Sequence, residues 1–183
     1  AEQEKVSVVM KCINVFILIC TGIGIGVSFA GLTPEELDML KQRQVVAYER
    51  MKSLNVSSRD AMRNYQVISS VRTNDLLKIR GTLASNAYEF VYLWQSSNLV
   101  KEVIETNQMG VGLYASYYAD GKPNRFIQLP SGLNLKFNKN GLIQEYFSVS
   151  NGYRYGLGCL FDEEGKLIFR KFYAQPEPIS FSF

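Results

Sequence analysis

Histidine is absent from the 183-residue chain. Its absence excludes Ser-His-Asp and Cys-His nucleophilic catalysis, histidine-ligated metals and any imidazole pH switch, the routes by which small proteins most often do chemistry. Cysteine is nearly absent too: Cys12 and Cys20 lie in an apolar run near the start, and Cys159 stands alone far downstream. Without the leading run, Cys159 has no partner in its own chain, so a disulfide would have to join two chains. A buried, apolar cysteine on a strand is the simpler expectation. With 20% charged residues, 46% hydrophobic residues and a net charge of +3, the chain is neither disordered nor a polyion, and its length suits one core plus a leader. No spacing of acidic residues suggests two facing carboxylates, which a carboxylate-dependent hydrolase requires.

Aromatic residues and glycine are plentiful. Eleven Tyr, eleven Phe and 14 Gly, against a single Trp, point to β-structure with tight turns.

Residues 12–30, CINVFILICTGIGIGVSFA, form an uncharged apolar run that follows Met10 and Lys11 and ends in Ser28-Phe29-Ala30. A basic start, an apolar centre and small residues before the cut define a signal peptide, with cleavage expected after Ala30 and Met10 as the natural start. The alternative is an uncleaved membrane anchor, because the run comes close to crossing a hydrocarbon core of roughly 30 Å. Ile19 before Cys20 disfavours lipoprotein processing. Gly22, Gly24 and Gly26 lack the strand, helix and acidic partner of a dinucleotide fingerprint, so no cofactor is expected.

Thr33-Pro34-Glu35-Glu36 combines an N-cap threonine, a first-turn proline and a glutamate that completes a capping box, so a helix is expected to start there. Leu37, Leu40, Ala47, Met51 and Leu54 recur at helical spacing among charged residues and predict one apolar stripe ending near Asn55. Ser57 to Asp60 caps a second stretch through Ala61, Tyr65 and Ile68, although Val67, Ile68 and Val71 are β-branched and fit a helix poorly. The stripe can lie on a sheet or serve as a seam for a second chain.

The rest of the chain repeats itself. GLYASYYADGKPNRFIQL, GLNLKFNKNGLIQEYFSV and GLGCLFDEEGKLIFRKFY start at Gly112, Gly132 and Gly156, carry Tyr117, Phe137 and Phe161 at the same place, and turn at Gly121, Gly141 and Gly165. A looser copy, EFVYLWQSSNLVKEVIET, has Trp94 as its aromatic and Asn98 at its turn. Alternating apolar and polar residues on both sides of a polar turn closing on Gly or Asn describe a β-hairpin. A lone hairpin is marginally stable, so the copies are expected to pair edge to edge and to share one buried face carrying Trp94, Tyr117, Phe137 and Phe161. Asn151-Gly152 is read as a turn between copies. The stretch from Val71 to Ile79 lacks an aromatic anchor and is not counted as a copy.

Residues 88–173 resemble the MORN-repeat variant family, the bacterial hairpin repeats of antitoxin-component type, with NGYRYGLGCLFDEEGKLIFRKFY at 151–173 the nearest stretch. The copy at Glu89 departs from the pattern in lacking both glycines. The resemblance implies a non-enzymatic extended sheet used as a binding surface, and it brings no catalytic residue with it.

Three further clusters deserve a reading. Asp162-Glu163-Glu164 lacks the spaced ligands of a calcium loop and reads as a solvated turn, so no metal site is expected. Arg154, Lys166, Arg170 and Lys171 form either a basic face for headgroups or polyanions, or charges that blunt strand edges. The final ISFSF alternates Ile179, Phe181 and Phe183 as outer-membrane barrels do, but Pro176 and Pro178 interrupt its approach, and covering one end of the sheet is the plainer role.

The fold class expected is α+β: a leader over residues 1–30, a helical segment over 31–74 and an antiparallel hairpin-repeat sheet over 75–183. The expected function is that of an exported, periplasmic or secreted, non-enzymatic protein. Its sheet would bind a protein or cell-envelope partner, with no nucleic acid and no membrane contact beyond residues 12–30. The alternatives are a membrane-anchored or outer-membrane component and a small hydrolase.

Overall fold

The computed structural model describes residues 31–73, 75–93, 99–151 and 153–178. The leader, Trp94, Asn98, Gly152 and the final ISFSF lie outside the described residues.

Two helices precede ten strands. Helix α1 (Pro34–Leu54) begins with the capping box: the Thr33 hydroxyl accepts the Glu36 amide, and the Glu36 carboxylate accepts the Thr33 amide. It ends at Asn55, and Leu40, Ala47, Met51 and Leu54 of the expected stripe are buried. Helix α2 (Ser58–Asn64) is short, with Ser57 as its N-cap.

The second helix was expected to run on through Tyr65 and Ile68. It stops at Asn64, and Gln66–Arg72 forms β1 instead. The β-branched residues Val67, Ile68 and Val71 lose side-chain freedom in a helix and gain a pleated neighbour in β2, so pairing wins. The stretch not counted as a copy is therefore the closed end of the β1–β2 hairpin, with Ser70 opposite Ile79 and Val71 opposite Lys78.

The remaining strands are β2 (Leu76–Leu83), β3 (Asn86–Leu93), β4 (Val100–Thr106), β5 (Gly112–Tyr117), β6 (Pro123–Leu129), β7 (Ser131–Phe137), β8 (Ile143–Ser150), β9 (Tyr153–Phe161) and β10 (Leu167–Pro178). They form one antiparallel sheet in chain order, a meander whose edges are β1 and β10.

The turns that close the hairpins share one geometry. In each, a residue amide donates to the carbonyl four positions on, and the glycine amide donates back: Tyr118 with Lys122 and Gly121, Asn138 with Leu142 and Gly141, Asp162 with Lys166 and Gly165. The three glycines have φ of 81°, 84° and 80°, a left-handed conformation that costs glycine nothing. Asn107, Val111 and Gly110 form the same turn between β4 and β5, where no turn signal was read in the sequence.

Helix α1 crosses the strands at a steep angle. Its first turn meets β10 through Glu36 and Arg170, its middle meets β8 through Arg43 and Tyr146, and its end meets β4 through Arg50 and Glu105. A 21-residue helix is about 31 Å long, which matches six to seven strand spacings of about 4.8 Å. One helix thus reaches across most of the meander and covers a single face.

Candidate binding face

Strand register assigns each side chain to one of two faces. On the helix side lie Ile79, Phe90, Val103, Ala115, Phe126, Leu135, Tyr146 and Cys159, paired in that sequence from strand to strand and all buried. Tyr117, Phe137 and Phe161, the described aromatic anchors, are buried in the same core. The Phe137 ring packs edge-on to Tyr48 at 6.0 Å, and the Tyr117 hydroxyl donates to the Met51 carbonyl at 2.6 Å.

This face explains the wealth of tyrosine. A helix leaves its last carbonyls without intrahelical partners. Hydroxyls rising from the sheet add donors at and just past that end: Tyr117 to the Met51 carbonyl, which also accepts the Asn55 amide, and Tyr92 to the Val56 carbonyl in the link to α2 at 3.1 Å. Burial raises the pKa of both hydroxyls, so they remain donors.

Glu105 is a buried carboxylate on this side, only 6% exposed. Its Oε1 accepts Asn86 Nδ2 at 2.8 Å and Tyr88 Oη at 2.9 Å, and its Oε2 holds the Arg50 guanidinium. Both oxygens are occupied by structural donors, so the group pins α1 to the sheet and offers no base for catalysis. Cys159 is buried and unpaired, and burial pushes its thiol up to about 12. It is an apolar core residue, as expected, and far from a nucleophile at neutral pH.

The repeat glycines serve the backbone. Gly121, Gly141 and Gly165 occupy the turns; Gly132 and Gly156 have positive φ on strands, and Gly112 lies where a side chain would strike the Glu105 carbonyl. Among the described residues no three Asp, Glu or Cys side chains gather as a metal would need.

The opposite face carries no second layer among the described residues. Its cations are Lys78, Arg80, Arg125, Lys136, Arg154 and Lys171, set against Glu89, Glu102, Glu145 and Glu177, the last paired with Lys171 at 2.6 Å. Glu89 sits between Arg80 and Lys78, and Glu145 between Arg125 at 3.0 Å and Lys136 at 3.5 Å. The Arg80 hydrogen bond holds the Glu89 carboxyl below its ordinary range. Glu89 and Glu145 are each flanked by two bases, whereas Glu102 meets Lys101 and Glu177 meets Lys171, and the cations of this face outnumber its acids.

Aromatic rings concentrate at one end of this face. Gly158 makes room for them: a side chain there would come within 2.7 Å of Tyr173 and 2.8 Å of Phe147. The two rings lie over it at 6.3 Å, with Arg154 4.2 Å above Phe147 and Lys171 4.7 Å from the Tyr173 ring centre. Nearby, Asn134 is 6% exposed, and its side-chain oxygen has no hydrogen-bond partner.

The four basic residues singled out in the sequence are split between locations. Arg154 and Lys171 belong to the ring cluster, Arg170 points the other way to Glu36, and Lys166 is in the β9–β10 turn. Asp162 caps that same turn by accepting the Lys166 amide at 2.7 Å, while Glu163 and Glu164 are exposed. The residues that sequence reasoning missed are Lys78, Arg80, Lys136 and Arg125. They lie on three different strands, β2, β6 and β7, and only the alternation of each strand hinted that they point to one side.

No protein-family model matches the chain, and a search of curated proteins finds no relative.

Proposed function

We propose that this chain is an exported, non-enzymatic repeat protein whose open sheet face binds a protein or cell-envelope partner. The carrying observation is the open face itself: a broad surface with more cations than carboxylates, ending in the cluster of Phe147, Tyr173, Arg154 and Lys171. Cations resting on aromatic rings present charge and apolar area together, the combination that recurs at protein interfaces. The hairpins β5–β6, β7–β8 and β9–β10 are read as copies of one MORN-like unit, a reading supported by their shared turn hydrogen bonds. The buried, fully engaged Glu105 and the protonated Cys159 thiol support binding over catalysis.

Photo-crosslinking residues placed at Lys136, at Lys171 and at Lys52 of α1, in cells producing the full chain from Met10, test the reading. Adducts from the first two positions and none from Lys52 are expected. Adducts from Lys52 alone would move the surface to the helical side. Intact mass from the same cells reports on the leader: a product starting at Gly31 supports export with cleavage, and a full-length product in the membrane fraction supports an anchored protein.

A further inference from the structure

Two arginines of α1, seven residues apart, reach the sheet from the same side of the helix. Arg50 meets the buried carboxylate of Glu105. Arg43 meets only the hydroxyl of Tyr146, with its guanidinium 5.9 Å from that ring centre. Tyr146 is fully buried, and burial raises its pKa, so this partner is neutral. Among the described residues Arg43 has no ion pair. Asp38, a turn earlier, is held by Gln42 Nε2 at 2.7 Å.

Arg43 lines a cleft of about 360 Å³ between α1 and strands β6 to β9. That volume lies within the range of pockets that hold small molecules, roughly 300–1,000 Å³. Its apolar wall is made by Val46 and Ala47 from the helix and Phe126 and Leu133 from the sheet. Gln42 adds an amide on the helix side, and Ser148, Tyr155 and Gln128, whose side-chain oxygen already accepts the Leu133 amide, are neutral polar groups on the sheet side. Val46 and Tyr155 are 69% and 40% exposed, so the cleft opens to solvent.

The site therefore has one fixed positive charge, neutral polar groups and an apolar wall. A guanidinium fork matches a carboxylate in shape and charge, and it stays charged throughout the pH range in which a carboxylate is ionised. We propose that this cleft binds a small carboxylate with an aromatic or branched aliphatic body, its carboxylate on Arg43 and its body against Phe126, Leu133 and Tyr155. The ligand is either a free acid or the C-terminal residue of a peptide, which present the same chemistry.

The test is protein-observed NMR titration of the full chain with four probes: 3-phenylpropanoate, its primary amide, N-acetyl-Ala-Phe and the amide of that dipeptide. At least one acid is expected to bind saturably, and its amide about tenfold more weakly or not at all. Tighter binding by the free acid or by the dipeptide acid identifies the source. Arg43→Gln is expected to weaken the acid about tenfold and to leave the amide unchanged. Because Arg43 also touches Tyr146, Val46→Glu serves as a second variant, placing a carboxylate at the exposed mouth, and it too is expected to abolish acid binding. Equal binding of acid and amide, unchanged affinity in both variants, or no binding by either acid would overturn the proposal.

Discussion

The two faces of the sheet solve the same problem by different means. On the helix side, buried polar atoms other than the Asn55 side-chain oxygen have designated partners, among them Tyr117 on Met51, Tyr92 on Val56, and Glu105 among Arg50, Tyr88 and Asn86. On the open side, Glu89 and Glu145 are shared between neighbouring cations that remain partly in water. Exposed ion pairs contribute little, with a median of about 0–1 kcal/mol, whereas a buried group stripped of its partner is expensive. Stability therefore resides on the helix side, which leaves the open side free for the binding role proposed for it.

Substitutions that break this contrast should rank accordingly. Phe137→Ala removes a fully buried ring beneath Tyr48 and is expected to cost about 3–5 kcal/mol, read by urea denaturation. Glu105→Ala leaves Arg50, Tyr88 and Asn86 without their acceptor and is expected to cost about 2–3 kcal/mol in the same assay. Tyr117→Phe deletes one hydroxyl from the Met51 carbonyl, for about 1 kcal/mol. Glu145→Gln on the open face is expected to change stability by less than about 1 kcal/mol. A cost for Glu145→Gln equal to that of Glu105→Ala would erase the distinction between the faces.

The junction of α1 with β10 should show itself in acid. The Arg170 hydrogen bond, aided by the Thr33 amide, holds Glu36 below its ordinary value of 4.5. A depressed carboxyl stabilises the fold fully above the unfolded pKa, and the contribution fades as pH falls through the lower folded value. Melting temperature measured from pH 6 down to pH 3 should therefore fall less steeply in Glu36→Gln than in the parent chain. Identical slopes would mean that this contact adds nothing.

Local signals were legible in advance. Thr33 and Glu36 mark the helix start because a cap involves residues three apart, and Gly121, Gly141 and Gly165 mark turns because their backbone conformation is a property of the residue itself. The boundary at Tyr65 was misread because a seven-residue helix and a following strand both fit the pattern, and only pairing with β2 decides between them. Arg50 and Glu105 are separated by 55 residues, and nothing near either one announces the other. The unpaired Arg43 was equally invisible, since its lack of a counter-ion is a fact about β8.

The sequence by itself determined the glycine-closed turns at Gly121, Gly141 and Gly165 with the hairpins around them, the capped helix and the absence of imidazole chemistry, because periodicity, glycine torsions and composition act over a few residues. The tertiary structure alone decided which face the helix covers, which charges meet across strands, and where a cleft opens. Those outcomes depend on strand register and on one helix crossing many strands, and both couple residues too distant in the chain for local preference to connect.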